Sequence, residues 1–149
     1  MSTHKIPRSV LVVIHSADLR VLLMERAPWP GFWQSVTGSL DFEDEPYRAT
    51  AVREVREETG LDAAGYILED WGIENRYEIF QKWRWRYGPG VTHNTEHVFG
   101  LTLPQPLPVS LAPREHSQYQ WLPYREAAEK CFSWTNRDAI LLLPQRVAR

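Results

Sequence analysis

Residues 38–61 read GSLDFEDEPYRATAVREVREETGL and carry the clearest helical signal in the chain. Apolar side chains recur at three- and four-residue spacing between Ala51 and Thr59, which is the period of a helix with one buried face. Pro46 suits the start of such a helix, and Gly60 supplies the left-handed conformation that commonly ends one. The stretch therefore predicts a strand that leads through a loop into a helix ending at Gly60.

Glu54, Glu57 and Glu58 occupy the arc of this helix next to its buried face, where like charges repel one another. One interpretation is a solvated acidic surface that pairs with Arg53 and Arg56. The other is a site for Mg²⁺ or Mn²⁺, because these cations prefer carboxylate oxygens and Glu54 and Glu58 lie about one helical turn apart. The spacing alone does not choose between these interpretations.

The composition is typical of a globular protein with one domain over residues 1–149, since 43% of the residues are hydrophobic and 24% are charged. A net charge of −2 gives no electrostatic basis for binding nucleic acid or an anionic membrane, and we expect neither as a partner. The N-terminus lacks the apolar core of a signal peptide, and Cys131 has no second cysteine to pair with. We therefore expect a cytoplasmic protein, whose oligomeric state these patterns leave open.

The remaining periodicity predicts a mixed sheet between helical layers, which is an α/β fold. Residues 10–14 form a continuous apolar run typical of a strand buried on both faces, and residues 21–26 can pair with it as a hairpin. Further strands are predicted at 33–40, 66–71, 77–80, 95–103 and 118–122, with a turn at 72–75. Helices are predicted at 125–132 and 136–143.

Residues 82–87, KWRWRY, alternate strictly between basic and aromatic side chains and predict another strand. Such a ribbon can bind single-stranded nucleic acid through phosphate contacts and base stacking. The interpretation we favour is a strand that packs its aromatic rings inward and solvates its cations, because the rest of the chain is not basic.

The string from Gly38 to Leu61 resembles the signature of the Nudix hydrolase family, Gly-x5-Glu-x7-Arg-Glu-hydrophobic-x-Glu-Glu-x-Gly-hydrophobic. The match is complete from Glu45 onward, but six residues separate Gly38 from Glu45, so the loop is one residue longer than the family pattern. The resemblance implies an α/β/α sandwich with a mixed sheet. It also implies hydrolysis of a nucleoside diphosphate linked to another group, with Mg²⁺ preferred and Mn²⁺ possible as cofactor.

Segments outside this string resemble one branch of the family, whose substrate is dihydroneopterin triphosphate. These segments are FWQSVTGS, NRYEIF, RYGPGVTHNTE, REH followed by YQWL, and SWTNRDAI. The branch implies release of pyrophosphate and formation of dihydroneopterin monophosphate, an early step of bacterial folate synthesis. The alternatives are a Nudix enzyme that hydrolyses a nucleoside triphosphate, such as dATP or a damaged nucleotide, and a Nudix-like binding module without catalysis.

The same resemblance implies a set of site residues. The metal ligands would be Glu54, Glu58 and Glu115. Glu57 would be a further ligand or part of the base system, and Arg53 would orient the carboxylates. The side chains expected to contact the substrate are Lys5, Arg26, Thr37, Tyr77, Glu78, Ile79, Phe80 and Ser133. The histidines have no metal-ligand spacing with cysteine, so no zinc site is predicted.

Overall fold

The computed structural model describes residues 4–147, which form seven strands, four α-helices and two short 3-10 helices. The strands are β1 Arg8–Ser16, β2 Arg20–Arg26, β3 Trp33–Gln34, β4 Val36–Ser39, β5 Ile67–Glu78, β6 His93–Leu103 and β7 His116–Pro123. The α-helices are α1 Tyr47–Thr59, α2 Tyr124–Lys130, α3 Trp134–Leu141 and α4 Leu143–Val147. The 3-10 helices are Ala63–Gly65 and Gln81–Arg86.

β1 is the central strand of a mixed seven-stranded sheet with the path β3-β2-β1-β6-β5. β6 runs parallel to β1 along one edge. On the other edge, β4 pairs with residues 9–12 of β1, and β2 pairs with its far end at His15. Because β4 and β2 share this edge, the sheet divides between them, and β2 continues to β3 and β7.

Helices cover both faces of the sheet, as predicted. Val12 and its even-numbered neighbours in β1 pack with Val55 of α1, whereas Leu11 and Val13 pack with Ile140 of α3 on the opposite face. Both faces of β1 are buried, which explains its unbroken apolar run. The predicted α/β/α sandwich is therefore confirmed. Within residues 4–147, no helix combines the length and the apolar character needed to cross a membrane.

The segment from 66 to 80 differs from the prediction of two strands separated by a turn. Residues 67–78 form one strand, β5, whose pairing with β6 shifts between Asp70 and Ile73. Gly72 adopts a φ of 69°, and its N–H donates to Oδ1 of Asp70 at 2.8 Å. These features make a β-bulge that keeps both halves in the ladder instead of reversing the chain.

The strand predicted at residues 82–87 is wrong, because this segment is the 3-10 helix Gln81–Arg86. Trp83 packs into an aromatic cluster, with ring centroids 5.1 Å from both Trp29 and Phe80, while Trp85 is 77% exposed. A strand would place both tryptophans on one face. The packing of Trp83 against residues distant in sequence therefore overrides the local alternation, and both strand-based interpretations of this segment lose their premise.

The extended piece predicted at 33–40 divides into β3 and β4 at Ser35. The Ser35 N–H donates to Oδ1 of Asn136 in α3 at 2.8 Å, so it leaves the ladder for a partner in another layer. This break turns Thr37 and Gly38 toward the start of β1, where the sheet divides.

Candidate active site

A cavity of about 970 Å³ opens where β4 separates from β2. Its walls come from the N-terminal segment, the end of β2, β4, the loop before α1, α1, β5, β6 and the turn before β7. The predicted site residues that line it are Lys5, Arg26, Thr37, Glu54, Glu58, Tyr77 and Glu115. Residues from distant parts of the chain thus meet in one space large enough for a nucleotide-sized molecule.

One wall of the cavity is acidic and is built on Glu58. This side chain is only 1% exposed, although it lies on a helix, because it is on the buried face of α1 with Val55 and Thr59. Glu58, Glu115 and His116 each place one potential ligand atom within 4.8 Å of the others. Oε1 of Glu58 has no hydrogen-bond partner among residues 4–147, and Nε2 of His116 lies 3.9 Å from it.

The electrostatics of this wall favour a bound cation. Burial, followed by the neighbouring Glu54 and then Glu115, raises the pKa of Glu58 well above its usual value. Burial also raises the pKa of Glu54. The pKa of His116 falls to about 4 through burial and the nearby charge of Arg26, so its imidazole is neutral at pH 7. A divalent cation would compensate carboxylates that the surrounding protein leaves poorly stabilised.

The donor atoms fit a hard divalent cation. Glu54, Glu58 and Glu115 can supply carboxylate oxygens, the atoms that such ions prefer, and the neutral imidazole of His116 can supply a nitrogen. The partnerless Oε1 of the buried Glu58 is the strongest sign of fit, because a buried polar atom without a partner is costly.

Arg53 ties the loop before α1 to the acidic wall. Its guanidinium contacts Oε1 of Glu54 at 2.8 Å, Oε1 of Glu45 at 3.0 Å and Oδ2 of Asp41 at 3.1 Å. Burial alone lowers the pKa of Arg53, but the Glu45 hydrogen bond and the nearby carboxylates raise it overall. Arg53 therefore holds Glu54 in place from behind and does not line the cavity.

The additional residue between Gly38 and Glu45 is absorbed by a turn. The Glu45 N–H donates to the carbonyl oxygen of Phe42, and the buried Glu45 carboxylate accepts from the Asp41 N–H at 2.8 Å. Asp44 is exposed. Glu45, rather than Asp44, is thus the carboxylate that reaches Arg53, and the longer loop leaves this contact intact.

Gly38 makes room for the Glu54 carboxylate. A β-carbon built on Gly38 would lie 2.0 Å from Cδ and 2.1 Å from Oε2 of Glu54, which is far inside contact distance. The backbone of β4 and the side chain on α1 therefore approach as closely as they do only because residue 38 has no side chain.

Lys5 and Arg26 supply positive charge to the same cavity. Burial, followed by the charges of Arg86 and Arg26, lowers the pKa of Lys5 to about 8, while Glu54 and Glu115 act in the other direction. The Arg26 guanidinium lies 5.1 Å from the ring of Trp29 and 4.8 Å from the ring of Trp83. These aromatic contacts fix the position of Arg26 without neutralising it.

Six of the predicted site residues do not line the cavity. Arg53 lies behind the acidic wall, and Glu57 is 54% exposed and lies 3.5 Å from Arg53. Ser133 caps α3 by accepting from the Asn136 N–H. Glu78 forms an ion pair with Arg84, and Ile79 is buried. Phe80 stacks on Trp83.

Arg86, Asn94 and His116 are among the cavity residues that were not predicted from sequence. His116 follows Glu115 directly, and neighbouring residues in a strand face opposite sides. In the structure, the N–H groups of both residues donate to the carbonyl oxygen of Ala112, so a tight turn places both side chains at the site. The REH string contains both residues, but the sequence does not show the turn that brings both side chains to the site.

The comparisons with known proteins agree with this geometry. A family model described as the NUDIX domain matches residues 5–143. Dihydroneopterin triphosphate diphosphatase of Escherichia coli strain K12 is 45% identical over 140 residues, which cover 92% of this chain and 91% of that protein. The Haemophilus influenzae protein of the same name is 37% identical over 143 residues, covering 94% and 89%. The structure of the E. coli dihydroneopterin triphosphate pyrophosphohydrolase superposes with a TM-score of 0.88 at 43% identity, covering 99% of both chains.

Proposed function

The chain belongs to the NUDIX domain family, and we propose that it hydrolyses dihydroneopterin triphosphate to dihydroneopterin monophosphate and pyrophosphate with Mg²⁺ as cofactor. The observation that carries this proposal is the meeting of Glu54, Glu58 and Glu115 with Lys5 and Arg26 in one cavity. The substrate assignment is supported by two relatives, more than a third identical over most of their length, that carry this activity in their names.

The acidic wall would hold the metal through Glu54, Glu58 and Glu115, with His116 as an additional donor. A bound Mg²⁺ would neutralise phosphate charge and make an adjacent water a better nucleophile. Arg53 would keep Glu54 oriented toward the cavity, because it contacts that carboxylate and the rigid turn at Glu45 together.

The cationic and hydroxyl side chains of the cavity would bind the triphosphate. Lys5 and Arg26 present cations, and Thr37 on β4 presents a hydroxyl, where the substrate carries its negative charge. Arg26 packs against two tryptophans that contact each other, so little side-chain freedom is lost when a phosphate binds.

The reaction requires one water and one broken bond. A water oxygen attacks phosphorus, the bridging bond between the α- and β-phosphates breaks, and the displaced oxygen leaves with its electron pair. A carboxylate of the acidic cluster accepts the proton that the water loses. The products are a monophosphate on the pterin side chain and pyrophosphate, and no redox partner is needed. We place this step in the cytoplasm, where a single unpaired Cys131 is stable.

The proposal is tested by comparing kcat/KM for dihydroneopterin triphosphate with that for each of the four dNTPs, in Mg²⁺ and with pyrophosphate and phosphate release measured separately. We expect the pterin substrate to have the highest kcat/KM and pyrophosphate to be the released product. A higher kcat/KM for any dNTP would replace the substrate assignment with that of a nucleotide hydrolase. Release of inorganic orthophosphate without pyrophosphate would overturn the proposed bond cleavage.

A further inference from the structure

One part of the cavity lining, outside the acidic wall, is uncharged and polar. Ser9 of β1, Tyr77 of β5 and Asn94 of β6 meet there on one face of the sheet, and all three line the cavity. Nδ2 of Asn94 donates to Oγ of Ser9 at 2.7 Å and to the Tyr77 hydroxyl at 3.1 Å. None of the three side chains belongs to the acidic wall, and none carries a positive charge.

These two hydrogen bonds orient the Asn94 amide. Both amide hydrogens are used by Ser9 and Tyr77, so Oδ1 faces away from these hydroxyls as an acceptor. Oδ1 has no partner within residues 4–147, although Asn94 is only 1% exposed. A buried acceptor without a partner on the lining of a cavity is suited to a ligand that donates a hydrogen bond.

Glu96 provides a second partnerless oxygen on the same strand as Asn94. It lies two residues beyond Asn94, on the same face of β6, and is 2% exposed. Its Oε1 also has no partner in the described part of the chain. Burial raises the pKa of Glu96 to about 7, and a hydrogen bond from Thr135 offsets this only partly. Two partnerless oxygens, Oδ1 of Asn94 and Oε1 of Glu96, thus lie two residues apart on one strand.

Arg26 lies near both the acidic wall and this polar group. Its positive charge acts in the same direction, toward a lower pKa, on Glu58 of the acidic wall and on Tyr77 beside Asn94. Arg26 therefore lies within electrostatic reach of both Glu58 and Tyr77. A molecule whose phosphates contact Arg26 and the acidic wall would extend its other end toward Asn94.

We propose that Asn94, held by Ser9 and Tyr77, determines ring specificity by accepting a hydrogen bond from the exocyclic amino group of a 2-amino-oxo fused ring. Dihydroneopterin and guanine both carry this group beside a ring N–H, whereas hypoxanthine lacks the amino group. This inference rests on the proposed function, because it assumes that the cavity binds the triphosphate of a fused heterocycle. Ser9 and Tyr77 are then positioning residues.

The test compares dGTP with dITP, which differ only in the 2-amino group. Dissociation constants are measured by tryptophan fluorescence in EDTA, where metal-dependent turnover does not interfere. We expect wild-type protein to bind dGTP about tenfold more tightly than dITP, the ratio expected from one hydrogen bond. Asn94→Ala should bring the ratio to about one. Asn94→Asp should preserve the preference, because it keeps the acceptor and can accept from both hydroxyls.

Asn75→Ala is the matched control, since Asn75 lies on the neighbouring strand opposite Glu96 and does not line the cavity. Its dGTP to dITP ratio should equal that of wild type. A wild-type ratio near one, an unchanged ratio in Asn94→Ala, or a preference for dITP in Asn94→Asp would overturn the inference. The ratio is independent of turnover on the pterin substrate, so failure of the proposed function and failure of this inference give different results.

Discussion

The Glu54 carboxylate fills the space that a side chain on Gly38 would occupy, with 2.0 Å between Cδ of Glu54 and the position of a β-carbon on residue 38. Gly38 is not in the left-handed region of backbone conformation. Glycine is therefore required at this position because there is no space for a side chain, and not because of backbone strain. Glu54 is the longer and more flexible partner, and any conflict between the two is relieved by moving its carboxylate.

Gly38→Ala should therefore impair activity much more than stability. We expect kcat/KM to fall at least about 100-fold, because the displaced Glu54 no longer supports metal binding, while Tm changes by only a few degrees. The measurements are steady-state kinetics in Mg²⁺ and thermal unfolding. Gly65→Ala is the matched control, because a β-carbon there meets no atom within 4 Å. Full activity in Gly38→Ala would contradict the role of this contact.

Glu58→Gln should abolish Mg²⁺-dependent pyrophosphate release and leave the fold intact. The amide is nearly isosteric but removes the buried carboxylate on which the acidic wall depends. Without metal, Tm should equal or exceed that of wild type, because a buried carboxyl with a raised pKa is destabilising when ionised. If turnover survives this change, the metal-ligand assignment is wrong. If wild-type protein is also inactive, the chain is a binding module.

Lys5 should make triphosphate binding weaken as the pH rises above about 8. The charged form binds phosphate, and the lowered pKa of Lys5 means that this charge is present below pH 8 and is lost above it. KM should rise about tenfold between pH 7 and 9, because the protonated fraction of a group with a pKa of about 8 falls about tenfold over that range. Lys5→Arg should flatten this dependence, because arginine stays protonated. An identical profile in both proteins would assign the titration to another group.

Glu96 should lower stability as the pH rises through neutrality. Its pKa is about 7 in the folded protein and 4.5 in the unfolded chain, so its stabilising contribution is present below pH 4.5 and is lost as the pH rises through 7. Glu96→Gln removes this loss, and its free energy of unfolding relative to wild type should increase by about 3 kcal/mol between pH 4.5 and 8. Urea unfolding at several pH values measures this difference, and a constant difference would refute the assignment.

The parts of the fold that sequence predicts are those fixed by local signals. α1 ends at Thr59 with Gly60 in the left-handed conformation, as the pattern indicated. The 82–87 segment was misassigned because Trp83 packs on Trp29, a contact that alternation within six residues cannot reveal. The local pattern predicts an element correctly where periodicity within the segment determines which side chains are buried. It fails where contact with an aromatic ring distant in sequence determines their burial.

The candidate site follows the same division. The spacing of Glu54 and Glu58 on one helix predicts that they lie close together, and both line the cavity, but their assignment as metal ligands came from the resemblance to the Nudix signature. Asn94 was not predictable, because its role depends on hydrogen bonds to Ser9, 85 positions away in the sequence, and to Tyr77 on the neighbouring strand. His116 required knowledge of the turn at Ala112.

The parallel pairing of β1 with β6 has a consequence for biosynthesis. Arg8 is opposite Thr95, and the last acidic side chain of the cavity, Glu115, comes still later in the chain. A nascent chain emerging from the ribosome therefore displays α1 with its acidic arc long before the strand that completes the central sheet has been synthesised. Catalytic competence should appear late and abruptly during translation, and chains truncated before β6 should expose the apolar residues of β1 and be captured by chaperones.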